Sequence, residues 1–172
     1  MLFRSDAEPL PGTLDAIASA DLITLGPGSL YTSLITNLLV RGIPEAIAAS
    51  KATRVYVGNL MTQANESLGL TASQHIERIL QHCGLSAGPI FDYALINTAP
   101  ISPTLLEQYA REGQTPIEPD LDRIRALGVE PIPGNFVHEG DVLRHDPDRV
   151  TEALLKLALA QSQRDPGPTD HV

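Results

Sequence analysis

Apolar positions along this chain fall into two patterns: short unbroken runs, and longer stretches in which they recur every three or four residues. Asp21-Leu22-Ile23-Thr24-Leu25, Arg54-Val55-Tyr56-Val57-Gly58-Asn59 and Tyr93-Ala94-Leu95-Ile96-Asn97 are of the first kind. They are too short for typical helices, and each closes on glycine or a polar residue, so they predict strands. Pro131 to Phe136 predicts a further strand or an extended edge. Between these runs the period changes. Leu30, Leu34, Ile35 and Leu38 share one face of a helix that starts directly after Gly26-Pro27-Gly28-Ser29. Thr71-Ala72-Ser73-Gln74 has the form of a capping box, and Ala72, Ile76, Ile79, Leu80 and Cys83 then make an apolar stripe that Gly84 ends. His75 and His82 are predicted on a common face opposite that stripe. A helix over about Pro103 to Glu112 follows, and Asp146-Pro147 supplies the cap and first-turn proline of the last helix, with Val150, Leu154, Leu157 and Ala158 turned inward.

Apolar strands alternating with helices predict an α/β fold with a mostly parallel sheet covered by helices on both faces. The expected organisation is one domain over residues 1–163 and a disordered tail over 164–172. In such sheets ligands bind beyond the carboxyl ends of the strands. Gly26 to Ser29, Asn59 to Glu66 and Asn97 therefore converge, although they are far apart in sequence.

Charge and composition narrow the partners. Twenty-one acidic against twelve basic residues give a formal charge of −9, which disfavours nucleic acid and anionic membranes. Cys83 is the single cysteine, so no intramolecular disulfide forms and no structural zinc site is spelled out; a reducing cytoplasmic setting fits. No run approaches the roughly 20 apolar residues that span a bilayer, and acidic residues and prolines interrupt residues 1 to 20, so neither membrane insertion nor export is expected.

The candidate chemistry lies at the predicted strand ends. The glycines of Gly26-Pro27-Gly28-Ser29 let backbone amides approach an anion at a helix N-terminus, with Thr32 as an added hydroxyl donor; the same residues would equally make a tight turn. The pattern matches neither a P-loop nor the three-glycine dinucleotide fingerprint. Asn59, Thr62, Gln63, Asn65, Glu66 and Ser67 form a polar loop denser than a simple connection needs. Arg144-His145 precedes the last helix, where a guanidinium suits a phosphate or a surface ion pair. Glu118, Asp120 and Asp122 could hold magnesium or form a solvated acidic edge.

Ala20-Asp21-Leu22-Ile23-Thr24-Leu25-Gly26-Pro27-Gly28-Ser29-Leu30-Tyr31-Thr32-Ser33 resembles the signature strand and turn of the YvcK family, relatives of CofD. Asn37 to Val40, Asn59 to Gln63, Leu70 to His75 and Arg144 to Asp146 resemble further family blocks in the same order, so the likeness covers about residues 17 to 160. The resemblance implies a Rossmann-like fold and a nucleotide sugar, UDP-N-acetylglucosamine, or another phosphorylated small molecule as ligand. It also implies a non-catalytic regulator of gluconeogenic growth, cell shape and peptidoglycan-precursor allocation. By the same resemblance Arg144 is the diphosphate contact and Tyr109 a ring or hydroxyl contact. The full set of ligand-binding residues expected is Gly26, Pro27, Gly28, Ser29, Thr32, Asn59, Thr62, Gln63, Tyr109, Arg144 and His145. The family's opening Gly-Gly-Gly-Thr-Gly loop has no counterpart in this sequence, so the expectation is a fold truncated at its N-terminus and half of a nucleotide site. A CofD-like phospholactyl transferase using magnesium is the alternative function, and a homo-oligomeric assembly surface a third.

Overall fold

A computed structural model of the chain describes residues 7–84 and 90–164. Its elements are α1 (Thr13–Ala18), β1 (Leu22–Leu25), a π-helical segment (Leu30–Ile35) running into α2 (Thr36–Leu38), α3 (Ile43–Ala49), β2 (Thr53–Val57), α4 (Ala72–Cys83), β3 (Tyr93–Asn97), α5 (Pro103–Arg111), α6 (Leu121–Ala126), β4 (Glu130–Gly134), β5 (Val137–Glu139), β6 (Leu143–His145) and α7 (Pro147–Arg164). The expected tail lies outside the described residues, except for Arg164 at the end of α7. No described helix is long and apolar enough to cross a membrane.

Strands β1 to β4 form one parallel sheet in the order of the sequence, and β5 and β6 form a separate antiparallel hairpin. Parallel crossovers are right-handed, so a sequential order sends every connection to the same face. That face carries the larger core. Leu30, Ile35, Ile76, Ile79, Ile90 and Ile124 are fully buried there, packed with Ala94 and Ile96 of β3. Each such side chain contributes about 1.5–3 kcal/mol of transfer free energy. The opposite face is covered by α7, whose Val150, Ala153, Leu154 and Leu157 meet Val55, Val57 and Leu95. The period-2 rule of a strand sorts these residues: Val55 and Val57 point to α7, and Tyr56 between them points to the larger core. A mostly parallel sheet with helices on both faces is thus the architecture.

Pro131 and Pro133 lie in β4, at the edge of the sheet, where missing amide donors cost little. The capping box of α4 forms as the sequence predicts: Gln74 N–H donates to Thr71 Oγ1 and Thr71 N–H to Gln74 Oε1, and Gly84 ends the helix in the left-handed conformation. His75 differs from expectation. It is fully buried rather than outward-facing, whereas His82 is half-buried beside Tyr31. The reason is geometric. His75 falls about 40° from Ile79 around the helix, and α4 is covered by both the π-helical segment and α6, so the buried stripe is wide enough to include it.

Asp120 is a second cap on the same helix. Its carboxylate accepts from Ser73 N–H (2.8 Å), Ser73 Oγ (2.5 Å) and Thr71 Oγ1 (2.7 Å). Partial burial alone would raise its pKa, but the hydrogen bonds from Ser73 and Thr71 outweigh that and hold it below the usual carboxylate value. Asp122 pairs instead with Arg125, and among the described residues no cluster of three His, Cys, Asp or Glu side chains is placed to hold a metal ion. The acidic turn therefore ties α6 to α4.

Asp120→Ala is expected to destabilise the fold by about 1.5–3 kcal/mol at neutral pH, because the buried Ser73 loses its charged acceptor. Since the folded-state pKa is depressed, the gap between wild type and variant is fully present above the ordinary carboxyl value of about 4 and narrows as pH falls through the lower folded value. Urea unfolding across that range measures it; a gap independent of pH would contradict the role. Gly26→Ala is expected to cost about 1–3 kcal/mol in the same assay. Its φ is 92°, and a Cβ there would stand 2.6 Å from the Val57 carbonyl oxygen.

Candidate functional site

The four parallel strands keep one direction of connection, so no reversal of strand order opens a crevice among them. The crevice is made instead by the β5–β6 hairpin, which is fixed over the carboxyl ends of the sheet. His145 Nε2 donates to the Gly58 carbonyl (3.0 Å), and Leu143 N–H donates to Tyr109 Oη (3.0 Å). Leu60, Met61 and Val137, with Tyr109 and Leu143, form a small apolar cluster under the hairpin. The result is an open cleft of about 470 Å³.

Seven of the expected site residues line it: Gly28, Ser29, Asn59, Gln63, Tyr109, Arg144 and His145. The turn after β1, the loop after β2 and the guanidinium of Arg144 in β6 therefore share one cleft, whereas Asn97, the third strand end expected to converge there, lines a neighbouring cavity with Asn59. Leu60, Met61, Gln114 and Leu143 complete the lining. Leu60 and Met61 fall inside the Asn59 to Gln63 block but, like Leu143, have the chemistry of ordinary core residues, and Gln114 comes from a loop with no distinctive pattern. Four expected residues are not in the lining. Gly26 and Pro27 shape the turn; Thr32 lies just beyond it, its Oγ1 donating to Ser29 Oγ (2.6 Å). Thr62 is turned inward at 1% exposure, with its Oγ1 accepting from Thr115 N–H (3.0 Å) and its own N–H donating to the Thr115 carbonyl (2.8 Å). Its place is a brace between two loops.

The polar loop after β2 is wired mostly to the protein itself. Asn59 grips Gly28 from both sides: its Oδ1 accepts from Gly28 N–H (3.2 Å) and its Nδ2 donates to the Gly28 carbonyl (2.8 Å). Glu66 reaches the start of the π-helical segment, accepting from Tyr31 N–H (2.9 Å), Thr32 N–H (3.2 Å) and the Ser29 hydroxyl. The anion cradle expected at this helix N-terminus is thus occupied by the protein's own carboxylate.

The cleft's charge comes from Arg144. Its side chain is exposed, and among the described residues no carboxylate approaches it within salt-bridge distance, whereas Arg41, Arg54, Arg125, Arg149 and Lys156 are each paired with acids. No Asp or Glu lines the cleft. Burial lowers the pKa of His145, with the Gly58 carbonyl opposing, so the ring is neutral at ordinary pH and donates through Nε2. Tyr109 Oη already accepts from Leu143, which leaves its hydroxyl proton available as a donor.

Comparison with known proteins identifies the family and supports the fold. Residues 1–137 match the model of the 2-phospho-L-lactate transferase CofD family. The gluconeogenesis factor of Halalkalibacterium halodurans is 48% identical over 156 residues, covering 90% of this chain and 48% of that protein. The gluconeogenesis factor of Bacillus subtilis is 40% identical over 151 residues, 87% of this chain and 47% of that one. A crystal structure of a UPF0052-family protein from Bacillus halodurans superposes with a TM-score of 0.83 at 49% identity, over 87% of this chain and 47% of its own. The chain spans about half the length of the relatives it matches. The chain belongs to the CofD-like gluconeogenesis-factor family.

Proposed function

We propose that this chain forms one wall of a nucleotide-sugar site, with UDP-N-acetylglucosamine as the ligand, in a non-catalytic regulator of gluconeogenic growth, cell shape and peptidoglycan-precursor allocation. The observation that carries the reading is the cleft's electrostatics. In a chain of net charge −9, one unpaired guanidinium stands in a pocket whose lining holds no carboxylate. An arginine fork donates two parallel hydrogen bonds to a diphosphate, and the hydroxyl of Tyr109 and the amides of Gln63 and Gln114 suit ribose or sugar hydroxyls. A regulator fits better than an enzyme because the cleft offers no acid–base pair: His145 is held neutral by burial and fixed to a backbone carbonyl.

The match to the 2-phospho-L-lactate transferase model favours a second reading, phospholactyl transfer to a deazaflavin precursor with magnesium. The acidic turn after Pro119 favours the regulator: Asp120 spends its carboxylate on α4, and Asp122 is paired with Arg125.

Isothermal titration with UDP-N-acetylglucosamine is expected to give saturable heat that Arg144→Ala weakens by about 1.5–3 kcal/mol, the range for hydrogen bonds to charged groups. No heat at millimolar ligand would remove the nucleotide-sugar reading. Incubation with a guanylylated phospholactate donor, a deazaflavin acceptor and magnesium is expected to yield no product; turnover would install the second reading in its place.

A further inference from the structure

Behind the cleft lies a second chamber of about 290 Å³, and Asn59 and Leu60 line both. Its walls come from the ends of β2 and β3, the start of α4 and the loops around residues 98–101 and 116–119. They are largely apolar, and no Asp, Glu, Lys or Arg is among them. Its size is near the lower end of ligand pockets, about 300–1,000 Å³, which suits a single ring.

Two buried polar groups with unmet hydrogen-bonding capacity belong to it. Among the described residues, three buried side-chain polar atoms have no hydrogen-bond partner; two of them, Tyr56 Oη and His75 Nε2, belong to residues that line this chamber. A buried polar atom left unsatisfied costs about 1–3 kcal/mol; the Asn59 backbone N–H faces the Tyr56 oxygen, whereas His75 Nε2 has no such neighbour and calls for a partner. The state of His75 follows from its other nitrogen. Nδ1 lies 2.9 Å from the Thr71 carbonyl, which can only accept, so Nδ1 carries the proton. Burial lowers the pKa of the ring, against the opposing effects of the Thr71 carbonyl and the Glu66 charge, so Nε2 is a bare lone pair that needs a donor. The other polar side chains of the chamber are committed: Asn97 donates to the Ala99 carbonyl (3.0 Å) and accepts from Phe136 N–H (3.1 Å), and Asn59 holds Gly28.

We propose that this chamber receives an uncharged ring bearing an N–H or O–H donor, which hydrogen-bonds His75 Nε2 and meets the Tyr56 hydroxyl, while the anionic part of the same ligand lies in the adjoining cleft. The inference extends the nucleotide-sugar reading and rests on it for the ligand's two-part form. A lone-pair acceptor among apolar walls, with no cation, repels a phosphate or carboxylate and accepts a lactam N–H or a sugar hydroxyl. A nucleobase and a sugar ring share that chemistry, and separate probes tell them apart.

The test follows the side-chain nitrogen resonances of histidine- and arginine-labelled protein while uridine, N-acetylglucosamine or inorganic pyrophosphate is added. One of the two neutral probes is expected to shift the His75 Nε2 resonance saturably, which identifies the source of the ring, and Tyr56→Phe is expected to weaken that probe about five- to tenfold, as loss of one hydrogen bond does. That variant removes one hydroxyl, which faces the Asn59 backbone N–H, and a thermal unfolding curve and circular dichroism spectrum like those of the wild type are expected to show its fold intact. Pyrophosphate is expected to move Arg144 and leave His75 unchanged. If neither neutral probe moves His75, or if pyrophosphate moves it directly, the chamber proposal is overturned. The Arg144 response to pyrophosphate is read separately, so failure of the chamber and failure of the nucleotide-sugar reading give different patterns.

Discussion

The side chain of Asn59 is the joint on which the site depends. It stands just after β2, one residue beyond Gly58, and takes both the amide and the carbonyl of Gly28 into hydrogen bonds. A single amide thereby fixes the turn after β1 to the end of the neighbouring strand, and no apolar contact could do so with the same directionality. The backbone at Gly26 comes so close to Val57 that a Cβ would collide with its carbonyl, so the turn has no room to settle elsewhere. Everything downstream inherits this geometry. The π-helical segment starts where the turn releases it, with the Ser29 carbonyl accepting from both Ser33 and Leu34 N–H at 3.0 Å. That widened first turn is a feature often found at functional sites.

How far the sequence disclosed this arrangement depends on which forces act locally. The strands β1, β2 and β3, the helix α4 with its box of Thr71 and Gln74, and the start of α7 at Asp146-Pro147 all follow from side-chain period and capping chemistry within a few residues. Short helices such as α3 and α6 do not, since seven and six residues hold too little periodicity to stand out from loop. The hairpin was hidden for a different reason. Its strands have three residues each, and it is held by His145 on Gly58 and Tyr109 on Leu143, contacts separated by 87 and 34 positions. Residue type told more about the site than about its wiring. Gly28, Asn59 and Arg144 suit a binding role by chemistry alone, but nothing in the order of residues says that Glu66 caps the segment at Tyr31 or that Thr62 braces Thr115.

The polar loop after β2 shows why density of polar residues is an ambiguous signal. Asn59, Thr62, Glu66 and Ser67 spend their hydrogen-bonding capacity on the backbone of the turn, the neighbouring loop and each other's segment, and Gln63 faces the cleft. A loop at the end of a parallel sheet leaves strand and helix termini without partners, and polar side chains are the least costly way to satisfy them. Binding capacity is what remains after that demand is met.

The same accounting separates the two halves of the proposed site. In the cleft the surplus is a positive charge: among the described residues Arg144 is left without an acid, whereas five other cations have found one. In the chamber the surplus is uncharged: a lone pair on His75 and a hydroxyl on Tyr56, both withdrawn from water. Glu66 sits near the two. It is close enough to His75 to influence its titration, and it occupies the helix start beside Ser29, so its negative charge disfavours a second anion at the turn. A ligand matched to these surpluses carries its charge toward Arg144 and its neutral, donor-bearing ring toward His75, and the reverse orientation would place phosphate oxygens against a lone pair and strand the guanidinium without a partner.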